Sequence, residues 1–367
     1  MKKMKRTLLT CLLATLALAM ADAQRPRRPR LAFDTDTLMV HDPVLAYEDG
    51  TYYLFSTGWG LQHATSRDRK TWTVQPFGLI NEPAWTHDSI PAPEFKSHLW
   101  APDILWWRGQ WWLTYSCSTF GKNTSAIGLM TSPTLDSTRA DYGWTDRGCV
   151  VASQRGRDDW NAIDPNLIVD HRDSLWVVWG SFWDGIQLAP MSDTRAARTV
   201  ARRALPGDTL APENPTSKFA GRNAVEAPFL FRHDGWYYLF VSFDYCCRGA
   251  KSNYRVVVGR SRDIEGPYAD RDGRPMLEGG GTPVVEGDHV TYEAVGHCAV
   301  YHLRPDGSIL PNGTDGAAPT ASDQPTDGAG EDLFICHGYD LRHRGQSTLV
   351  QRRIRWEDGW PTLVEDE

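Results

Sequence analysis

The chain has 367 residues and a formal charge of −7, with 46 Asp and Glu against 39 Lys and Arg, which argues against nucleic acid and anionic membranes as partners. Seven cysteines are too few for a disulfide-dense scaffold of this length. Sixteen Trp, thirteen Tyr and twelve Phe suit packed β structure or a carbohydrate cleft, where flat rings stack on sugar faces.

Residues 1–23 read as a secretory signal peptide. Lys2, Lys3, Lys5 and Arg6 precede an apolar run from Thr7 to Met20, and Ala21-Asp22-Ala23 supplies a small-residue cleavage site. The apolar run is shorter than the roughly 20 residues that a membrane span needs. Its removal takes away four cations and the anion Asp22, which moves the formal charge to −10. The mature protein is therefore expected to be exported, to the periplasm or the medium, with no membrane span. Residues 24–36, Arg-rich and broken by Pro26 and Pro29, are expected to form a flexible tail.

From residue 37 to 367 one pattern recurs. His41-Asp42-Pro43 opens a strand, an Asp49-Gly50 turn and a second strand that ends near Ser56; Ala101-Pro102, Asp164-Pro165 and Ala227-Pro228 open three further copies. The four prolines are separated by 59, 63 and 63 residues, and a weaker fifth copy begins at Gly296-His297. Each copy reads strand, tight hairpin, strand, with β-branched and aromatic residues and no helical period. A third strand such as Ser125 to Ser132 and a Trp-bearing fourth such as Thr71-Trp72-Thr73 complete a four-stranded unit of about sixty residues, the size of a propeller blade. An all-β, five-bladed β-propeller is the expected fold. Residues 311–330 lack large apolar side chains and are expected to be a disordered insertion in the fifth blade.

Propellers place the first strand of each blade on the central channel, which would gather Asp42, Asp164, Glu226 and His297 at one mouth. Proline is ordinary at the first residue of a strand, so a single Asp-Pro carries little weight. Three carboxylates in register, with no matching one before Pro102, point to acid/base chemistry. A sugar-binding propeller without catalysis would need no such set.

These residues resemble the inverting glycoside hydrolases of family 43, and within them the endo-α-1,5-L-arabinanases. The resemblance is carried by His41-Asp42-Pro43, Trp100-Ala101-Pro102-Asp103, Ser118-Thr119-Phe120-Gly121, Asn161-Ala162-Ile163-Asp164-Pro165, Gly180-Ser181-Phe182-Trp183, Glu226-Ala227-Pro228, the Phe243 to Gly249 segment and Gly296-His297. It implies Asp42 as general base, Glu226 as general acid and Asp164 as the residue that orients the acid and tunes its proton affinity. Inversion needs the acid and base roughly 6.5–9.5 Å apart to admit a water. Sugar contacts are implied at Asp42, Phe120, Asn161, Ala162, Ile163, Asp164, Ser181, Phe182 and Trp183. His297 has two readings: a core histidine satisfied by hydrogen bonds or, by resemblance, the holder of a hydrated calcium ion. Arabinan or its oligosaccharides are the implied substrate, internal cutting by a monomer the implied mode; end-trimming arabinanases, arabinofuranosidases and β-xylosidases share the same carboxylates. Glu226 lies one residue further from its proline than the two aspartates do, and Cys246-Cys247 is left open between a ring, other partners and free thiols.

Overall fold

Alternating β-branched and aromatic residues, punctuated by turn residues, form antiparallel sheets throughout the described residues of the computed structural model, which are 31–90, 95–203, 223–315 and 330–364. The expected signal peptide, residues 24–30 of the expected tail and residues 316–329 of the expected insertion lie outside them.

Five sheets follow one another along the chain as the blades of a five-bladed β-propeller. Blade 1 holds Val44–Glu48, Thr51–Ser56, Gln62–Ser66 and Thr71–Val74; blade 2 holds His98–Trp107, Gln110–Cys117, Ser125–Ser132 and Thr145–Ser153. Blade 3 holds Asn166–Val169, Leu175–Trp179, Ile186–Pro190 and Arg198–Ala201; blade 4 holds Val225–His233, Trp236–Phe243, Arg255–Ser261 and Thr282–Val285. Blade 5 holds Tyr292–Leu303, Glu331–Asp340, Gln346–Glu357 and Trp360–Val364. Asp49-Gly50, Arg108-Gly109 and Asp234-Gly235 all have positive φ at both positions, the conformation that two-residue hairpins with matching strand twist require.

The first strands of successive blades contact one another around the channel, and buried side chains tie them together. Tyr301 Oη accepts from Leu45 N–H at 2.7 Å, Asp103 Oδ2 from Leu167 N–H at 2.6 Å, and Asn166 Oδ1 from Leu230 N–H at 2.8 Å. Large apolar side chains fill the space between sheets: Trp72 and Trp179 are fully buried, the latter against Trp160. The ring closes where residues 38–40 run beside blade 5, with Val40 N–H donating to Ser347 O and Leu349 N–H to Leu38 O.

Two expected boundaries shift. Residues 31–36 are not a tail: Leu31–Asp34 adds a fifth strand to the outer edge of blade 1, and Phe33 packs against the core. Residues 311–315 of the expected insertion are tied down, because Asn312 Nδ2 donates to Leu167 O and Leu230 O and Asp315 accepts from Gly235 N–H. Composition did not flag residues 311–315 because polar side chains, Asn312 and Asp315, hold them, and the short apolar run Leu31-Ala32-Phe33 directly follows the Arg-rich stretch. Among the described residues no helix is long and apolar enough to cross a membrane.

Candidate active site

At the mouth of the channel each blade begins with one residue in the left-handed region: Asp42 (φ 58°), Ala101 (41°), Asp164 (58°), Ala227 (53°) and His297 (52°). Side chains disfavour this conformation, and here each backbone N–H is fixed by the preceding blade. Ala101 N–H donates to Thr57 Oγ1, Asp164 N–H to Ser116 Oγ, His297 N–H to Ser242 Oγ, and Asp42 N–H, closing the ring, to His337 Nδ1. Ser116, Ser242 and His337 occupy one register position, opposite Trp100, Glu226 and Gly296 of their own blades. In blade 3 that position is Gly180, paired with Ile163 and without a side chain. Asp164 Oδ2 takes its place and accepts Ala227 N–H at 3.2 Å.

This register explains the offset of Glu226. Ala227 is the left-handed residue of blade 4, and a bulge between Glu226 and Phe229 follows it. Glu226, one position earlier, lines the cavity with Asp42, Asp164 and His297, whereas Ala227 is buried outside it.

Asp42 is held as an anion. Its Oδ1 lies 2.8 Å from His41 Nδ1 and 2.9 Å from His297 Nδ1, and Oδ2 accepts from Thr57 Oγ1 at 2.5 Å. Burial would raise its pKa, but His41 and His297 together outweigh that and hold it well below the usual carboxylate range. The reciprocal effect appears on His297: burial lowers its pKa, yet Asp42, Asp164 and Glu226 push it up to about 9.

Glu226 and Asp164 form the opposite kind of site. Burial raises Glu226, while hydroxyl donors on Ser181 and Tyr254 partly offset it; Ser181 Oγ donates to Oε2 at 2.7 Å. Burial raises Asp164 further; His297 opposes it, but repulsion from Glu226 and Asp42 adds to it, and the Ala227 N–H is a weak counterweight. The resemblance implied Asp164 as the residue that tunes the proton affinity of Glu226. In the folded site both are pushed up, so the pair favours holding a proton.

The cavity has a volume of about 1070 Å³ and is lined by every expected sugar-contact residue except Ala162. Asn161 and Ile163 face it; Ala162 between them is fully buried in the core beside blade 3. Asn161 Oδ1 is anchored by Ser125 Oγ at 2.6 Å, and the Phe182 ring lies 5.7 Å from that of Tyr245. Phe120, which lines the cavity, is 80% exposed, an apolar ring left open to solvent. Cys246 and Cys247 are bonded to each other and border the same cavity, so the ring alternative is the one adopted.

Sequence reasoning gave no role to Thr57, Ser116, Tyr254, His337 or Tyr339, and quoted His41 only as part of a motif. His41 had a signal, its place beside Asp42. The others touch the site from neighbouring blades: Ser116 and His337 lie on second strands of the repeat and Tyr254 just before a third, places that gave them no chemical role of their own. For the calcium reading, His297 Nδ1 is committed to Asp42, which leaves Nε2 as the ring's available ligand atom. Among the described residues His297 belongs to no group of three convergent ligand atoms, so the donor set fits only an ion that keeps most of its waters.

The family model of the glycosyl hydrolases family 43 matches residues 37–308. The extracellular exo-α-(1→5)-L-arabinofuranosidase of Cellvibrio japonicus is 36% identical over 92% of this chain and 90% of its own. The extracellular endo-α-(1→5)-L-arabinanase 1 of Bacillus subtilis is 34% identical over 88% of this chain and 87% of its own. A crystal structure of an exo-1,5-α-L-arabinanase from a bovine ruminal metagenomic library is 43% identical, covers 91% of this chain and 99% of that one, and superposes with a TM-score of 0.76. This chain is a member of glycosyl hydrolases family 43.

Proposed function

We propose that the protein hydrolyses α-1,5-L-arabinofuranosidic bonds within arabinan, with inversion of configuration. Asp42 deprotonates the attacking water, Glu226 protonates the departing sugar oxygen, and Asp164 orients Glu226 through Ala227 and keeps its proton affinity high. The observation that carries this reading is the contrast in one cavity between a carboxylate held ionised by His41 and His297 and a buried carboxyl pushed toward its protonated form. A base must be charged and an acid protonated at the same pH, and these environments separate the two. Phe120, Phe182 and Trp183 supply rings for furanose faces, and Asn161, Ile163 and Ser181 complete the contacts.

Asp42→Ala and Glu226→Ala should each lower hydrolysis of linear arabinan by about 10²–10⁴-fold while preserving the folded circular-dichroism spectrum. An active variant of either kind overturns its assigned role, and a β-configured first product, read by NMR, supports inversion of an α bond. Loss of activity in both variants also excludes a purely sugar-binding propeller.

A second reading, trimming from chain ends, is favoured by the two relatives named as exo enzymes. A cavity at the upper end of the usual ligand-site range has room for several sugar rings and favours internal cutting. Product sizing decides: mixed oligomers early in the reaction support internal cutting, and a single product supports end-trimming.

Export is supported by relatives named as extracellular, and appearance of the processed chain outside the cytoplasm tests it. The chain acts as a monomer, which light scattering checks. Calcium is proposed at His297 Nε2 with water completing its shell; the ion would have to displace the second proton that Asp42, Asp164 and Glu226 favour on this ring, so binding should strengthen with pH. Metal analysis and a chelator-induced change in unfolding temperature test this binding independently of activity.

A further inference from the structure

The catalytic base is reached from a second direction by a chain of hydrogen bonds that begins at the Cys246–Cys247 disulfide. Cys247, itself in the left-handed region, donates its N–H to Tyr339 Oη at 2.6 Å. Tyr339 Oη lies 2.9 Å from His41 Nε2, and His41 Nδ1 lies 2.8 Å from Asp42 Oδ1. Stacking on His337, with ring centroids 3.9 Å apart, holds the His41 plane.

The donor and acceptor count fixes the direction of this chain. A phenol offers one hydrogen and two acceptor sites. An ionised carboxylate only accepts, so His41 Nδ1, 2.8 Å from Asp42 Oδ1, carries the hydrogen of the neutral ring. His41 Nε2 then accepts, and the Tyr339 hydroxyl, whose oxygen takes the Cys247 N–H, donates to it. Burial keeps the Tyr339 phenol protonated, as a donor must be.

We infer that Tyr339 is a positioning residue for hydrolysis: anchored by the Cys246–Cys247 loop, its hydroxyl sets the Nδ1–H tautomer of His41 and thereby the orientation of the Asp42 carboxylate. The inference rests on Asp42 being the general base. It gives the disulfide loop a duty distinct from sugar binding, because its effect on the base is exerted through the backbone N–H of Cys247. Substrate binding by the loop would appear in KM, whereas positioning of the base appears in kcat.

The test uses the full chain with linear arabinan. Tyr339→Phe removes only the hydroxyl and should lower kcat by about tenfold or more, with KM within about twofold and the unfolding temperature within a few degrees. Opening the disulfide with a reductant, or by Cys246→Ser with Cys247→Ser, should lower kcat of the wild type but add nothing to Tyr339→Phe, because both act through one oxygen. An unchanged kcat, a rise in KM alone, or effects that multiply would each overturn the inference. Nitrogen-15 shifts of the His41 ring supply a readout independent of substrate and of the variant's folding. The wild type should show the Nδ1–H tautomer, and an Nε2–H tautomer refutes the relay. Should wild-type protein leave arabinan intact while His41 shows the Nδ1–H form, the proposed substrate falls and the relay stands.

Discussion

Ser181 donates its hydroxyl to Glu226 Oε2 at 2.7 Å, and the two residues form an isolated β-bridge between blades 3 and 4. A donor to a carboxylate favours the ionised form, so Ser181 opposes the effect of burial on the proposed acid. Ser181→Ala should therefore raise the Glu226 pKa further. The alkaline limb of kcat/KM should move to higher pH by about one unit, the equivalent of one hydrogen bond to a charged group. A limb that stays in place or moves down argues against Glu226 as the acid.

Asp164→Asn probes the neighbouring relationship with the opposite sign. An amide keeps an oxygen for Ala227 N–H but removes the charge that Glu226 and Asp164 would share. Without that repulsion Glu226 should ionise more readily, and the alkaline limb should shift to lower pH. Measuring kcat/KM against pH for both variants gives shifts in opposite directions if Glu226 is the titrating group; shifts in the same direction would refute the assignment.

Thr57 serves two blades with one oxygen: Oγ1 accepts Ala101 N–H at 2.8 Å and donates to Asp42 Oδ2 at 2.5 Å. Thr57→Val is nearly isosteric yet leaves both partners unsatisfied, which should cost about 1–3 kcal/mol of stability for a buried group and lower kcat. Thr57→Ser should retain most of both. Chemical denaturation and steady-state kinetics on the pair check this, and equal behaviour of Val and Ser variants would show that the hydroxyl is idle.

The fold was legible because it repeats. Pro43, Pro102, Pro165 and Pro228 mark equivalent strand starts, and the Asp-Gly-type turns are local signals that survive without tertiary context. The carboxylates were legible for the same reason, since each sits at or beside a left-handed residue that opens a blade. What supports them was not. Tyr339 and His337 reach residues 41 and 42 across almost the whole chain, through a ring closure that no local pattern records. Ala162 is the exception among the four consecutive residues Asn161 to Asp164 assigned to the sugar: its side chain turns into the core while Asn161, Ile163 and Asp164 line the cavity. Residues 31–36 looked like a tail because the strand Leu31–Asp34 is only four residues long and directly follows the Arg-rich stretch; its partner at the edge of blade 1 lies about forty residues on.

His297 links the site to overall stability, and its sign can be worked out. Its pKa is pushed up to about 9 in the folded protein, against about 6.5 for an unperturbed imidazole. The folded state thus binds the proton more tightly than the unfolded chain. The stabilisation is fully present below pH 6.5 and is lost as pH rises through about 9. For a buried group the shift corresponds to something on the order of 3 kcal/mol, all of it belonging to the contact with Asp42 and its neighbours rather than to His297 alone. Stability measured by denaturant unfolding in the presence of a chelator should fall across that window in the wild type. His297→Gln, which retains a donor but cannot titrate, should be less stable at pH 6 and lose less between pH 6.5 and 9. A wild-type profile that is flat or rises across the window would mean that His297 is neutral in the folded protein, and that Asp42 owes its ionisation to His41 and Thr57.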